Sequence, residues 1–289
     1  MSATPLTWGG RSIPAPGGLP AVAVSLTGPS LAQVRTQARS AIDAGADVLE
    51  LRVDLLEETG AVAAPEPLDA ATAAAQVLEC LRGLREAIDT TDGADAGSPV
   101  LLTCRTAAEG GRAQLDDTAY GSLLRSVLDG LTDWTPERRP AAIDVEVQRG
   151  CLPQICAQAH ALDIDVVASF HDFEATPADE ALEEVLARMA REGADLAKIA
   201  VWPTTADDVA RLLGVCARAT AGAGEGADLG VPVAAMSMGA LGAVSRVAPA
   251  FGTALTFAVV PDEQGESRAS APGQLPIQDV RRCLELLQV

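Results

Sequence analysis

The chain has 289 residues, 48% of them apolar, with a net charge of −19 and a pI near 4.4. That charge argues against nucleic acid or an anionic membrane as a partner, and an anionic small molecule would need a local cluster of arginines to hold it. No basic leader followed by an apolar run and no membrane-length apolar stretch is visible, so a soluble cytoplasmic protein is expected. The six cysteines form no CxxC pair and read as reduced, mostly buried thiols. With two histidines, His160 and His171, a structural zinc site is not expected.

Taken in order, residues 1–20 hold several glycines and prolines and suit a small hairpin or plug. A strand is predicted over 21–26 and a helix over 30–44, capped by Ser30. In the strand predicted over 48–54, Glu50, Arg52 and Asp54 share one face and Leu49, Leu51 and Val53 the other. The apolar face can pack on helices, which leaves the charged face for an interior. Residues 59–69 and 90–98 read as surface loops on either side of a helix over 70–88.

The next strand, 99–105, ends in Arg105, with Glu109 four residues on and Gly110 and Gly111 after it. A helix over 116–131 precedes a strand over 141–147 that puts Asp144 and Glu146 on one face. His160 lies in a helical stretch and reads as structural. The strand 165–173 brings Ser169 and His171 together at its C-terminal end. Helices over 177–192 (cap Thr176) and 205–220 (cap Thr204) flank a strand over 196–201 that contains Lys198. After a loop at 220–230 come strands over 231–238 and 254–260 and a last helix over 277–287. Eight strands alternating with helices at this length predict an α/β fold, one (β/α)8 TIM barrel domain spanning 1–289. An open doubly wound sheet has the same periodicity and is the alternative.

Lys198 is the only lysine beside twenty arginines, and it sits in the apolar run ADLAKIAVWP. A guanidinium does not deprotonate to attack a carbonyl, whereas an amine does. Either the amine is kept for chemistry, or its stem snorkels from a strand end. Ionisable groups converging on one rim favour chemistry, because barrel enzymes place their sites at the C-terminal ends of the strands. Burial among apolar residues favours the neutral amine, the form that adds to a ketone or aldehyde to give a Schiff base. His171 is then the candidate proton carrier.

Seven segments, in order, resemble the type I, Schiff-base-forming 3-dehydroquinate dehydratases: ELRVD (50–54), TCRTAAEGG (103–111), IDVE (143–146), SFHDFEATP (169–177), AKIAVWP (197–203), MSMGALGAVSR (236–246) and SAPGQ (270–274). The resemblance implies a TIM barrel whose floor is closed by an N-terminal hairpin. It also implies a hydro-lyase of the shikimate pathway of aromatic amino-acid biosynthesis that converts 3-dehydroquinate to 3-dehydroshikimate. On that footing Lys198 forms the imine, His171 is the general acid and base, and Glu109 orients His171. Arg246, Ser270 and Gln274 hold the substrate carboxylate, while Glu50, Arg52 and Arg105 grip the ring hydroxyls. Ser25 and Asp144 are polar-wall positions, and Met238 and Phe257 are apolar wall. No metal or organic cofactor is expected, since the lysine supplies the electrophilic catalysis, and the family implies a homodimer.

The polar stretch 261–269 is longer than the family pattern and is expected to extend a lid; 59–69 has the look of a variable insertion. Two rival readings are a class I aldolase acting on a sugar phosphate and a non-catalytic sensor of quinate-pathway metabolites. The first would need a phosphate site, where the pair Arg246 and Gln274 better suits a carboxylate. The second would show binding without turnover.

Overall fold

Alternation along the strands sorts the apolar residues into two separate cores. A computed structural model describes residues 4–57, 69–91, 97–221, 229–261 and 269–287. It contains β1 (Leu6–Trp8), β2 (Arg11–Ile13), β3 (Ala21–Leu26), α1 (Leu31–Asp43), β4 (Val48–Arg52), α2 (Ala70–Asp89), β5 (Val100–Thr103), α3 (Asp117–Gly130), β6 (Ala142–Glu146), α4 (Leu152–His160), β7 (Asp165–Asp172), α5 (Asp179–Arg191), β8 (Leu196–Val201), α6 (Ala206–Thr220), β9 (Val233–Ser237), β10 (Leu255–Val259), β11 (Leu275–Pro276) and α7 (Ile277–Leu286). Leu49, Leu51, Ile143, Val145, Ile199 and Val201 face outward and pack under the helices. Val48, Leu101, Ala142, Val167, Leu196 and Leu255 face inward and form a smaller interior core. Each odd-to-even step along a strand moves a side chain from one core to the other.

The strands run parallel in the order β11-β10-β3-β4-β5-β6-β7-β8-β9. The sheet curls until β9 meets the start of β10 at an isolated parallel bridge, Val233 with Thr253, where the Ala254 N–H donates to the Val233 carbonyl at 2.7 Å. This is the closed barrel rather than the open sheet. The hairpin of β1 and β2 closes its floor: Trp8 and Ile13 are buried in the interior core, and the Trp8 indole donates to Asp165 Oδ2 at 2.7 Å.

Local capping explains where most helices begin. Ser30, Asp69 and Asp116 accept from the backbone three residues on, starting α1, α2 and α3. Two expected caps move. α6 starts on Thr205, which forms a reciprocal capping box with Asp208, while the Thr204 hydroxyl donates to Asp208 Oδ2 at 2.8 Å. α5 starts after Ala178 with no side-chain cap, and the Thr176 hydroxyl is drawn instead to the Trp202 carbonyl, 3.0 Å away. The predicted loops 59–69, 90–98, 220–230 and the lid 261–269 lie largely outside the described residues. Among the described residues no helix is long and apolar enough to cross a membrane.

Candidate active site

Above the interior core the inward positions turn polar. Ser25, Glu50, Arg52, Thr103, Asp144, Glu146, Ser169, His171 and Lys198 lie from the middle of strands β3 to β8 toward their C-terminal ends. Lys198 is 2% exposed. Its register partner on β9 is Ala234, and its next inward neighbour on β8 is Ala200, so small residues leave room for its stem. Nζ donates to Asp144 Oδ2 at 2.6 Å and lies 3.9 Å from Glu50 Oε1 and 5.1 Å from the centre of the Phe257 ring. Asp144, predicted as polar wall, is thus in direct contact with the amine.

Both carboxylates are held from behind. Asp144 Oδ1 accepts from the Ser169 hydroxyl at 2.6 Å. Glu50 accepts from Ser25 and, at 3.0 Å, from Thr103. The Ser270 hydroxyl donates to Ser25 at 2.8 Å, Gln274 Nε2 donates to Ser270 at 2.9 Å, and the Ser270 N–H donates to Gln274 Oε1 at 2.9 Å. The segment after residue 269 is thereby tied to the acid beside the lysine.

His171 and Glu109 form a second buried pair, with Nδ1 2.8 Å from Glu109 Oε2. Glu109 sits on a short turn, Ala107–Glu109, after β5. Two glycines make the turn possible. Gly110 has φ +83°, and a Cβ on Gly111 would lie 2.2 Å from the Arg105 carbonyl oxygen. Burial, and then the charge of Glu146, push the Glu109 carboxyl up to about 8. Burial, and then the charges of Arg105, Lys198 and Arg52, push His171 well below the usual imidazole value. The pair therefore resists carrying either a lone anion or a lone cation.

The arginines differ in how they are matched. Arg52 makes a two-pronged contact to Asp54, 2.8 Å on each prong. Burial alone would raise Asp54, but Arg52 and the N–H groups of Arg112 and Arg105 hold its carboxyl below the ordinary range. Arg105 lies 3.9 Å from Glu146. Arg246 is different: it is 1% exposed and donates only to the carbonyls of Phe257 at 3.4 Å and Pro272 at 3.1 Å. Its Nε has no partner among the described residues, nor does any carboxylate there pair with it, and burial lowers its pKa to about 10. A buried, unpaired guanidinium is a place for an anion.

These groups surround one pocket, lined by Glu50, Arg52, Arg105, His171, Lys198, Ala200, Met236, Met238, Arg246, Phe257, Ser270, Ala271 and Gln274. Every predicted site residue lines it except Glu109, Asp144 and Ser25, which stand behind His171, Lys198 and Ser270. Met236, Ala200 and Ala271 were not predicted. Met236 had a signal, because it precedes Met238 by two residues and so shares its inward face. Among the described residues no group of three or more His, Cys, Asp or Glu could hold a metal ion.

The family model for type I 3-dehydroquinase matches residues 22–289. A 3-dehydroquinate dehydratase of Lactiplantibacillus plantarum is 36% identical over 276 residues, 93% of each chain. The crystal structure of 3-dehydroquinate dehydratase from Geobacillus kaustophilus superposes with a TM-score of 0.79 at 29% identity, covering 99% of this chain and 97% of that one. A type I 3-dehydroquinate dehydratase from Clostridium difficile, solved with covalently modified comenic acid, has the same TM-score at 27% identity, with coverages of 99% and 98%.

Proposed function

The chain belongs to the type I 3-dehydroquinase family, and from that premise we propose that it dehydrates 3-dehydroquinate to 3-dehydroshikimate, in the shikimate pathway, through an imine on Lys198. The observation that carries this reading is the single lysine of the chain, buried inside the barrel with its amine 2.6 Å from Asp144 and in the same cavity as His171.

Asp144 is suited to take a proton from the ammonium, freeing the lone pair that attacks the C3 ketone. Loss of water from the carbinolamine gives a protonated imine, which draws electrons from the adjacent C2–H bond. His171 takes that proton through Nε2, because Nδ1 is engaged by Glu109. The electrons move into an enamine, and His171 returns a proton to the C1 hydroxyl as it leaves as water. Water then adds to the imine, and its hydrolysis releases product and the amine.

Arg246 is the anchor for the substrate carboxylate, supported by its lack of a protein acid, with Ser270 and Gln274 beside it. Glu50, Arg52 and Arg105 are the grips for ring hydroxyls. Met238 and Phe257, joined by Met236, keep bulk water from the imine. The family resemblance also implies a homodimer in the cytoplasm, which light scattering and cell fractionation test.

The decisive experiment is borohydride reduction in the presence of 3-dehydroquinate, read by peptide mass spectrometry. An adduct on the Lys198 peptide, absent from Lys198→Ala, is expected. Turnover without any trapped adduct would rule out the imine, and binding without turnover would favour a sensor.

A further inference from the structure

Glu146 is fully buried and has no part in the mechanism above. It ends β6, and both its oxygens are directed at Thr106: Oε1 accepts the backbone N–H at 2.7 Å and Oε2 the hydroxyl at 2.6 Å. Thr106 in turn begins the turn that carries Glu109, its carbonyl accepting the N–H of Glu109 at 3.1 Å and of Gly111 at 2.8 Å. Asp54 pins the flanks of the same loop, accepting the N–H of Arg105 and of Arg112, each at 3.2 Å. The loop between β5 and α3 is therefore stapled by two buried acids from its neighbouring strand ends.

Resting on the function proposed above, we propose that Glu146 is a positioning residue for the His171–Glu109 pair, holding the turn at Thr106 so that Glu109 meets His171 in register. Its charge acts on the same pair. Burial pushes the Glu146 carboxyl up, while the two Thr106 donors and Arg105 oppose that rise. Accepting from Thr106 through both oxygens is the arrangement that suits its ionised form, with Arg149 at 3.4 Å and Arg105 at 3.9 Å. Facing the pair are Arg105 from the end of β5, Asp144 and Glu146 from β6, Arg149 after β6, Arg52 from β4 and Lys198 from β8. Glu146 is the strongest charged influence on Glu109, and a neighbouring anion makes the pair hold its proton to higher pH.

The clamp and the charge separate in three variants of the full chain. Glu146→Gln removes the charge; the acid limb of kcat/KM should move down by about 1 pH unit. The chain has two histidines, so the His171 ring resonance is assignable, and its titration without substrate should move with the limb. Glu146→Asp keeps the charge but is too short to reach both Thr106 donors; kcat should fall about tenfold with KM and the limb unmoved. Thr106→Val removes one donor and should lower kcat in the same sense.

Unchanged kcat in Glu146→Asp and Thr106→Val, together with an unmoved limb in Glu146→Gln, would overturn the proposal, whatever the melting temperatures. If Glu146→Gln does not fold, Thr106→Val decides, and unchanged kcat there is the overturning result. If the wild type lacks dehydratase activity, the function reading fails by itself. The His171 titration then still tests the link to Glu146, and an unmoved titration in Glu146→Gln overturns it.

Discussion

Glu109 Oε2 sits between two groups of one residue, the backbone N–H of His171 at 3.1 Å and its Nδ1 at 2.8 Å. A ring held at both its root and one nitrogen has little freedom to turn, so Nε2 is the nitrogen left for substrate. It is a usable base only when the pair has lost its extra proton.

That condition sets the pH dependence. With Glu109 pushed up to about 8, kcat/KM should rise with pH to a plateau above about 8. Glu109→Gln should lower kcat by about 10²-fold at the plateau. Stability should respond in the opposite sense. The folded pKa lies above the ordinary carboxyl value of 4.5, so the folded state binds more protons between the two. Holding Glu109 ionised therefore costs stability progressively as pH rises through that window, by about 1.4 kcal/mol per unit. Thermal melts of Glu109→Gln against wild type should shift in favour of the variant from pH 5 to 9; a constant difference would contradict the assignment.

Lys198→Arg tests chemistry separately from charge. It keeps a cation near Asp144 but cannot form an imine. We expect kcat to fall by about 10⁴-fold or more, with no adduct after reduction by borohydride.

Arg246→Ala should weaken binding of the anion more than it slows chemistry. Loss of one charge-assisted contact is worth about 1.5–3 kcal/mol, so KM should rise by about 10- to 150-fold. Steady-state kinetics with 3-dehydroquinate check this; an unchanged KM would remove Arg246 from the anchor.

Trp8→Ala opens the floor of the barrel far from the lysine. A loss of about 3–5 kcal/mol is expected from the cavity it leaves, measured by urea unfolding. Turnover per folded molecule should change little.

How far the sequence could be read follows from range. Strand faces were legible because alternation is local: Glu50 and Arg52 on β4, Ser169 and His171 on β7, and Lys198 on β8 all point inward. The contact between Lys198 and Asp144 was not legible, because it crosses from β8 to β6 over β7 and depends on register and curvature. The same holds for the clamp of Glu146 on Thr106. The cap expected at Thr204 moved one residue because Thr205 offers an equally good acceptor, whereas Thr176 is drawn to the Trp202 carbonyl and leaves α5 without a side-chain cap. Met236 was overlooked although the period of two beside Met238 indicated it.

The seam between β9 and β10 carries a consequence for the whole cylinder. Elsewhere neighbouring strands share two or more register pairs, but here the described residues form a single bridge, Val233 with Thr253, backed by the Ala235 N–H on the Thr253 hydroxyl at 3.3 Å. The staves should part most easily at this joint, so the Ala254 amide should exchange with deuterium sooner than those within β7 or β8. The cavity wall spans the same joint, with Met236 and Met238 on one side and Phe257 on the other. A molecule seated between them would act as a hoop, and its grip would register as slower exchange along both staves.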